Sequence, residues 1–220
     1  MPVTPVLEFD PAAARRHLRR VDPVLAGVMR RAGPFQLRPR VTQSIFGALV
    51  ESIVYQQLSG KAAATILERT RRLFLPKRFP TPADILATPD ERLRSAGLSR
   101  AKTAALKDLA EHTLSGTVPT LTRARRMPDE ELIERLTAVR GIGVWTVEML
   151  LMFRLGRPDV LPVGDLGVRK GFSLAYGIGR MPTPRELAAH AECWRPFRSV
   201  GSWYMWRAIE LHTGPTAGRA

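Results

Sequence analysis

The sequence predicts an all-α protein folded as a two-lobed helical bundle, and three observations support this. Apolar residues recur at helical spacing, as at Ile45, Leu49 and Ile53. Alternation of apolar and polar residues, which is typical of strands, is almost absent, and Gly and Pro separate the helical stretches. A chain of 220 residues, 45% of them hydrophobic, can bury one large core or two small ones.

Helical segments can be placed in order along the chain. One helix is predicted to follow a cap at Thr42, and another, with Ala62, Ile66 and Leu73 on one face, to follow Ser59. Further helices are predicted at 11–20, 23–32, 83–87, 90–95, 100–114, 129–137, 144–155, 166–176, 184–193 and 199–213.

Basic residues dominate the charge of the chain. The 34 Lys and Arg against 20 Asp and Glu give a formal net charge of +14, which favours a polyanionic partner. Nucleic acid is the leading candidate, although a basic surface also suits anionic lipid or simple solubility. No run approaches about 18 apolar residues, and Glu8 and Asp10 stand where a secretory signal would be basic and then apolar. We therefore expect an intracellular protein without a membrane partner, in the cytoplasm or at the nucleoid.

Cysteine and histidine are too few for most metal chemistry. Cys193 is the only cysteine, which excludes an intrachain disulfide, a CxxC zinc site and a cysteine-ligated iron–sulfur cluster. The four histidines are scattered, and the HxE signature of zinc deaminases is missing. We expect that the chemistry requires no cofactor.

A glycine-rich turn between two helices is the most informative segment. In LTAVRGIGVWTVEML, residues 136–150, a helix ends near Val139, and Gly141, Ile142 and Gly143 precede the next helix. The glycines allow a sharp turn and leave amide groups accessible where a phosphate could bind. Taken alone, the GxG pattern is more often an ordinary turn between helices with glycine caps.

Two further features make the pattern specific. Trp145 follows the turn, and about twenty residues later LPVGDLGVRKG, residues 161–171, places Asp165 at the start of a helix. This arrangement resembles the helix-hairpin-helix DNA glycosylase superfamily, and most of all its 3-methyladenine DNA glycosylase II family. The segments at 51–63 and 194–207 also resemble blocks of that family.

The resemblance runs from about residue 42 to 212 and implies a fold and a function. It implies a middle lobe of residues 41–160, a second lobe of residues 1–40 and 161–220, and the hairpin at a cleft between them. The implied activity is that of a monofunctional DNA N-glycosylase of base excision repair. Such an enzyme flips alkylated bases, of the 3-methyladenine and 7-methylguanine class, out of double-stranded DNA and releases them by hydrolysis.

Asp165 falls on the position of the family's catalytic aspartate. The alternative is a helix cap, since Asp is a favoured N-cap residue worth about 1 kcal/mol, and the two roles are compatible. A purine alkylated at N3 or N7 carries positive charge and departs as a neutral base without a general acid, whereas ordinary glycosidases need two carboxyl groups. One carboxylate facing the developing oxocarbenium sugar is therefore sufficient.

Trp145 occupies the hairpin position at which bifunctional members of the superfamily carry a lysine. Tryptophan cannot form a Schiff base, which opposes strand cleavage by lyase chemistry. The resemblance implies that its indole stacks on the flipped cationic base. A tryptophan packed in the core beside a turn is the alternative.

Other site residues follow from the resemblance alone. Gln56 and Gln57 would fill or flank the gap left by the flipped base, although ordinary turn polarity also explains them. The implied base pocket contains Trp145, Tyr55, Phe46, Trp203 and Tyr204, whereas Trp206 is interpreted as a core residue. The implied DNA contacts are Gln56, Gln57, Ser59, Gly141, Gly143, Val144, Thr146 and Arg169.

The resemblance also implies a structural ion at the hairpin. Members of the wider family often bind Na⁺, K⁺, Mg²⁺ or Ca²⁺ through backbone carbonyls, and Thr137, Val139 and Ile142 are the matching positions. Such an ion would anchor phosphate and take no part in the chemistry. We expect the protein to act as a monomer.

Three rival functions stay open at this stage. A non-catalytic helix-hairpin-helix module, or damage sensor, would also be basic, but it gains nothing from a carboxylate such as Asp165 near DNA. A bifunctional glycosylase/lyase for oxidised bases is opposed by Trp145 and by the missing cysteine cluster. A helical adaptor would leave the matches to an enzyme family unexplained.

Overall fold

The computed structural model describes residues 7–213, and in that part of the chain it contains helices and no strands. The predicted all-α fold class is confirmed. The α-helices are α1 Pro11–Val21, α2 Pro23–Ala32, α3 Ile45–Tyr55, α4 Gly60–Arg72, α5 Pro82–Ala87, α6 Asp90–Ser95, α7 Arg100–Leu114, α8 Leu121–Ala124, α9 Asp129–Thr137, α10 Val144–Leu150, α11 Leu166–Tyr176, α12 Pro184–His190 and α13 Arg198–Thr213. A π-helix at Leu151–Leu155 continues α10, and a 3-10 helix at Ala191–Trp194 continues α12.

Side-chain caps explain where many of these helices begin. Ser59 caps α4 as predicted, because its Oγ accepts a hydrogen bond from Ala62 N. The predicted cap at Thr42 is wrong, since Ser44 Oγ accepts from Gly47 N at 3.0 Å and α3 begins directly after it. The short helix α8 was not predicted, because its four residues are too few to show helical periodicity.

Residues 42–147 form one of two compact units of the chain. The apolar side of α3 is buried, with Leu49, Ile53 and Val54 inaccessible to solvent. Helix α3 packs against α4 and against α7, which is the long helix of this unit and contributes the buried Leu106 and Leu109. Helix α7 also holds the hairpin between α9 and α10, because Asp108 Oδ2 accepts a hydrogen bond from Arg140 N at 2.7 Å.

Residues 7–41 and 148–213 are the described part of the second unit. Helix α11 packs against α13, and α13 packs against α2. The approach of α11 to α13 requires glycine at position 171, because a Cβ there would lie 1.8 Å from the carbonyl oxygen of Met205. This contact brings the middle of α11 directly against the backbone of α13.

A buried carboxylate joins several helices of the second unit. Asp22 caps α2 by accepting from Leu25 N at 2.9 Å. Its Oδ2 also accepts hydrogen bonds from Tyr176, from Trp194 Nε1 at 2.8 Å and from His190 Nε2 at 3.0 Å. One side chain thereby connects α2 with α11, α12 and the 3-10 helix.

The boundary between the units lies between residues 147 and 148, within α10, rather than at the predicted residue 160. The hydrogen bonds of the segment 148–160 explain this difference. Arg40 N donates to Phe153 O at 2.8 Å, and Ser199 N donates to Pro158 O at 2.9 Å. The segment is therefore held by the terminal parts of the chain.

Within residues 7–213, none of the helices combines the length and the apolar character that a membrane-spanning segment needs.

Candidate active site

Asp165 is the N-cap of α11, as its position in the sequence predicts. Its Oδ1 accepts hydrogen bonds from Val168 N at 2.7 Å and from Trp206 Nε1 at 2.9 Å. Its own backbone N–H donates to Pro162 O at 2.9 Å. These bonds fix the orientation of the carboxylate, and hydrogen bonds to a charged acceptor are stronger than those between neutral groups.

The sequence predicted only a core residue at Trp206, but its side chain also positions Asp165. Its ring lies 5.7 Å from that of Phe153 in the π-helix, and its indole N–H is committed to Asp165. A Cβ at position 167 would lie 2.9 Å from the indole and 3.0 Å from Asp165 Oδ1, so glycine is needed for this approach. The sequence signal was only that Trp206 lies in a segment that resembles a family block.

Glu148 is a functional candidate that the sequence reasoning missed. It lies on α10, and only 8% of its surface is exposed. Burial, and secondly the negative charge of Asp165, raise the pKa of Glu148 from 4.5 to about 7. A sequence signal existed, because Glu148 interrupts the apolar run that includes Val147 and Leu150.

The hairpin is the turn from α9, which ends at Thr137, to α10, which begins at Val144. Gly141 has a φ of +79°, a conformation that favours glycine. Ile142 N donates to Val139 O at 3.0 Å, and the side chains of both residues are buried. These features make a rigid turn anchored on the core of its unit.

The outer side of the hairpin faces solvent. Gly141, Gly143 and Val144 are exposed, and Trp145 is 52% exposed. Trp145 is therefore not packed in the core, which was the alternative to a stacking role. Thr146, in contrast, is buried, and its amide donates to Gly143 O at 2.9 Å.

The turn at residues 55–59 contains Gln56 and Gln57, which are predicted to fill or flank the gap left by the flipped base, and is called the wedge below. It is attached to the hairpin within the same unit. Gln56 Nε2 donates to Gly141 O at 2.8 Å. Gln57 is exposed and adopts a φ of +56°, which is uncommon for a residue other than glycine. Lys102, which the sequence reasoning missed, donates from Nζ to Val54 O at 2.7 Å and to Gln56 O at 2.9 Å, and burial lowers its pKa.

The flanks of the wedge are accessible. Tyr55 is 40% exposed, and Leu58 and Ser59 are exposed beside it. Ser59 Oγ is engaged in capping α4, so its availability to another partner is reduced.

The other predicted pocket residues are more deeply buried. Phe46 lies in the core of α3, and Trp203 packs edge-on against Phe35 with ring centroids 5.1 Å apart. Tyr204 is fully buried, and its hydroxyl donates to Gly33 O at 3.0 Å. Their burial favours a packing role for these three aromatic residues.

Arg169, predicted to contact DNA, lies one turn into α11. Its Nε donates to Pro182 O at 2.8 Å, and the side chain is partly buried. The arginine thereby ties α11 to the segment that precedes α12.

Comparison with known proteins places this geometry in a family context. Residues 50–196 match the family model described as HhH-GPD superfamily base excision DNA repair protein. A curated relative, DNA-3-methyladenine glycosylase 1 of Schizosaccharomyces pombe, is 42% identical over 163 residues, which span 74% of this chain and 72% of the relative.

Solved structures agree with the sequence comparison. A structure of the S. pombe 3-methyladenine DNA glycosylase in complex with abasic DNA has a TM-score of 0.76 and 38% identity, covering 89% of this chain and 95% of that one. A DNA-3-methyladenine glycosidase of Bacillus halodurans has a TM-score of 0.82 and 34% identity, covering 96% of this chain and 94% of that one.

Proposed function

Because the chain belongs to the HhH-GPD superfamily of base excision DNA repair proteins, and within it to the DNA-3-methyladenine glycosylases, we propose that it is a monofunctional DNA N-glycosylase. It flips alkylated bases out of double-stranded DNA and hydrolyses their glycosidic bonds, leaving an abasic site. Bases of the 3-methyladenine and 7-methylguanine class are its substrates. The observation that carries this proposal is the Asp165 carboxylate, which is fixed by Val168 N and Trp206 Nε1 at the start of α11.

Asp165 supplies the charge that the reaction needs. When the C1′–N bond breaks, the alkylated base leaves with the bonding electrons as a neutral molecule, and positive charge develops on the sugar. An attraction between opposite charges about 4 Å apart at an effective dielectric of about 20 is worth about 4 kcal/mol, or about a thousandfold in rate. The two N–H donors hold the carboxylate in place beforehand, so little reorganisation accompanies the reaction.

Trp145 accounts for the monofunctional character. It has no amine that could attack the sugar, so water is the nucleophile. Its exposed indole can stack on the flipped base, and the positive charge of the base strengthens that contact by about 1 kcal/mol.

Double-stranded DNA is the partner that the charge and the hairpin favour. The amides of Gly143 and Val144 lie at the start of α10, where helix N–H groups have no intrahelical acceptor, and both residues are exposed. Gln57 is the better candidate to fill the gap left by the flipped base, because the side-chain amide of Gln56 is bound to Gly141 O. The net charge of +14 gives an affinity for DNA that declines with salt.

We propose that a structural cation binds the hairpin through backbone carbonyls. The carbonyl of Thr137 belongs to the last residue of α9 and has no intrahelical partner, and Val139 O accepts a single backbone hydrogen bond, from Ile142 N. Together with the carbonyl of Ile142, these are the oxygen ligands that hard cations prefer. A bound ion would attract a DNA phosphate, and the chemistry at Asp165 needs no cofactor.

The non-catalytic module is the second candidate and is not favoured. A module that only grips phosphate has no use for a carboxylate braced by an indole, as Asp165 is by Trp206.

The enzyme acts as a monomer where the DNA lies, in the cytoplasm or at the nucleoid.

The decisive experiment compares the release of 3-methyladenine from methylated duplex DNA by wild type and Asp165→Asn, with binding measured on the same DNA. We expect Asp165→Asn to bind normally and to release base at least about a hundredfold more slowly, because the charge facing the sugar is lost. Asp10→Asn is the matched control, since Asp10 caps α1 through two similar hydrogen bonds. Binding without base release by wild type would support the non-catalytic module instead.

A further inference from the structure

We propose that Lys102 is a positioning residue for the wedge: its ammonium group, carried by α7, fixes the backbone from which Gln57 enters the gap left by the flipped base. The proposal rests on the proposed function, because a fixed wedge matters only if the protein flips a base out of the duplex. It assigns a role to a cation that is bound to the protein's own main chain.

Lys102 binds the main chain where α3 ends. Its Nζ donates to Val54 O at 2.7 Å and to Gln56 O at 2.9 Å. Val54 lies in the last turn of α3, where carbonyls have no intrahelical donor, so the lysine supplies a hydrogen bond that the helix itself cannot. Hydrogen bonds from a charged donor are roughly twice as strong as those between neutral groups. A side chain from another helix therefore holds the end of α3.

The second of these carbonyls belongs to the peptide unit that joins Gln56 to Gln57. Fixing the plane of this peptide sets the direction from which the Gln57 side chain leaves the backbone. Gln57 is exposed and has a φ of +56°, a left-handed conformation that is uncommon for a residue with a side chain. Such conformations persist where the surrounding contacts enforce them, and they cluster at functional sites. Lys102 supplies one of the contacts that enforce it here.

The hairpin is tied to the same helix as the wedge. Asp108, further along α7, accepts a hydrogen bond at Oδ2 from Arg140 N at 2.7 Å. Gln56 Nε2 joins the two segments directly by donating to Gly141 O at 2.8 Å. Helix α7 thus holds the wedge through Lys102 and the hairpin through Asp108, so both segments are presented to a duplex with a fixed spacing.

The environment of the Lys102 ammonium group favours this role over a contact with phosphate. Burial lowers the pKa of Lys102, which shows that its charged form is partly removed from water. A lysine that only adds positive charge to the surface lies in solvent, as the exposed Lys61 does. The ammonium group of a lysine has three donors, and Lys102 commits two of them to carbonyls of its own unit.

The test is the binding of wild type, Lys102→Met and Lys107→Met to two duplexes of one sequence, one intact and one with a tetrahydrofuran analogue of an abasic site, followed by fluorescence anisotropy. The second duplex alone has a gap that the wedge can fill. Met keeps an unbranched apolar stem but has no donor. We expect Lys102→Met to bind the abasic duplex about tenfold more weakly than wild type, the effect of one hydrogen bond to a charged group, and to bind the intact duplex as wild type does.

Lys107→Met is the matched control, since it removes a positive charge from the same helix, where Lys107 pairs with Asp90. It should bind both duplexes as wild type does. The slope of log affinity against log salt on the intact duplex should be equal for Lys102→Met and wild type, because only the loss of a phosphate contact would reduce it by about one.

Single-turnover release of 3-methyladenine from methylated duplex is measured with the same proteins. We expect Lys102→Met to release base about tenfold more slowly than wild type, because the flipped state is less well held. Lys102→Arg keeps a charge and N–H donors at this position, so it should recover most of the rate.

Three results would overturn the proposal: an equal loss of affinity for both duplexes, a Lys102→Met variant with the wild-type preference for the abasic duplex, or a reduced salt slope. If circular dichroism shows that Lys102→Met does not fold, Lys102→Gln gives the same test, because its amide is uncharged and one bond shorter. Absence of base release by wild type would instead refute the proposed function, so the two failures are distinguishable.

Discussion

Replacing Trp206 by Phe tests whether the indole N–H positions the reacting carboxylate. The Phe ring retains the packing against Phe153, at a centroid distance of 5.7 Å in the wild type, but the 2.9 Å hydrogen bond to Asp165 Oδ1 is lost. A hydrogen bond to a charged group contributes about 1.5–3 kcal/mol. Because Val168 N still donates to the same oxygen, we expect the lower half of that range, about 1.5–2 kcal/mol.

The expected result is a ten- to roughly thirtyfold slower single-turnover release of 3-methyladenine, with unchanged affinity for DNA. Base release can be followed by chromatography, and binding by fluorescence anisotropy on the same duplex. Trp194→Phe is the matched control, since it also breaks a hydrogen bond from an indole to a carboxylate, here Asp22. Equal rates for Trp206→Phe and wild type, or an equal loss in the control, would refute the positioning role.

Three further predictions concern stability. The raised pKa of Glu148 means that the folded state holds its proton more tightly than the unfolded state, so stability is lost as the pH rises from 4.5 to about 7. Urea unfolding should therefore show Glu148→Gln to be more stable than wild type at about pH 8, by up to about 3 kcal/mol, and similar to it at about pH 4. Burial alone would raise the pKa of Asp22, but its hydrogen bonds, with that from Leu25 N the strongest, more than offset this and hold the pKa below 3.8. Asp22 consequently stabilises the fold above that pH, and Asp22→Asn should cost about 3 kcal/mol at neutral pH, a loss that shrinks on acidification in thermal scans. Gly171→Ala should unfold at a markedly lower temperature than wild type, because the methyl group would overlap the Met205 carbonyl, and an unchanged melting temperature would contradict the described packing of α11 on α13.

The fold class and the position of Asp165 could be predicted because both depend on local sequence. Helical periodicity and capping chemistry act over a few residues, so α3, α4, α9 and α11 were found within a few residues of their ends. Where two capping residues are close together, as at Thr42 and Ser44, local sequence does not decide between them.

The partners of Asp165 could not be predicted in the same way. Trp206 lies 41 positions along the chain from Asp165, and their contact exists only because α11 packs on α13. The raised pKa of Glu148 likewise depends on burial and on a charge from another helix. The roles implied for the hairpin residues, the wedge and the pocket stay predictions, because they concern contacts with DNA.

One unit is a single stretch of the chain and the other is made of two separate stretches, so the two units can fold at different times during synthesis. Residues 42–147 are contiguous and have their own core, so this unit can fold during translation before the residues that follow it leave the ribosome. The other unit needs residues 7–41 together with α13, which is synthesised after residues 42–147. A nascent chain would thus display its hairpin before the indole of Trp206 can fix Asp165.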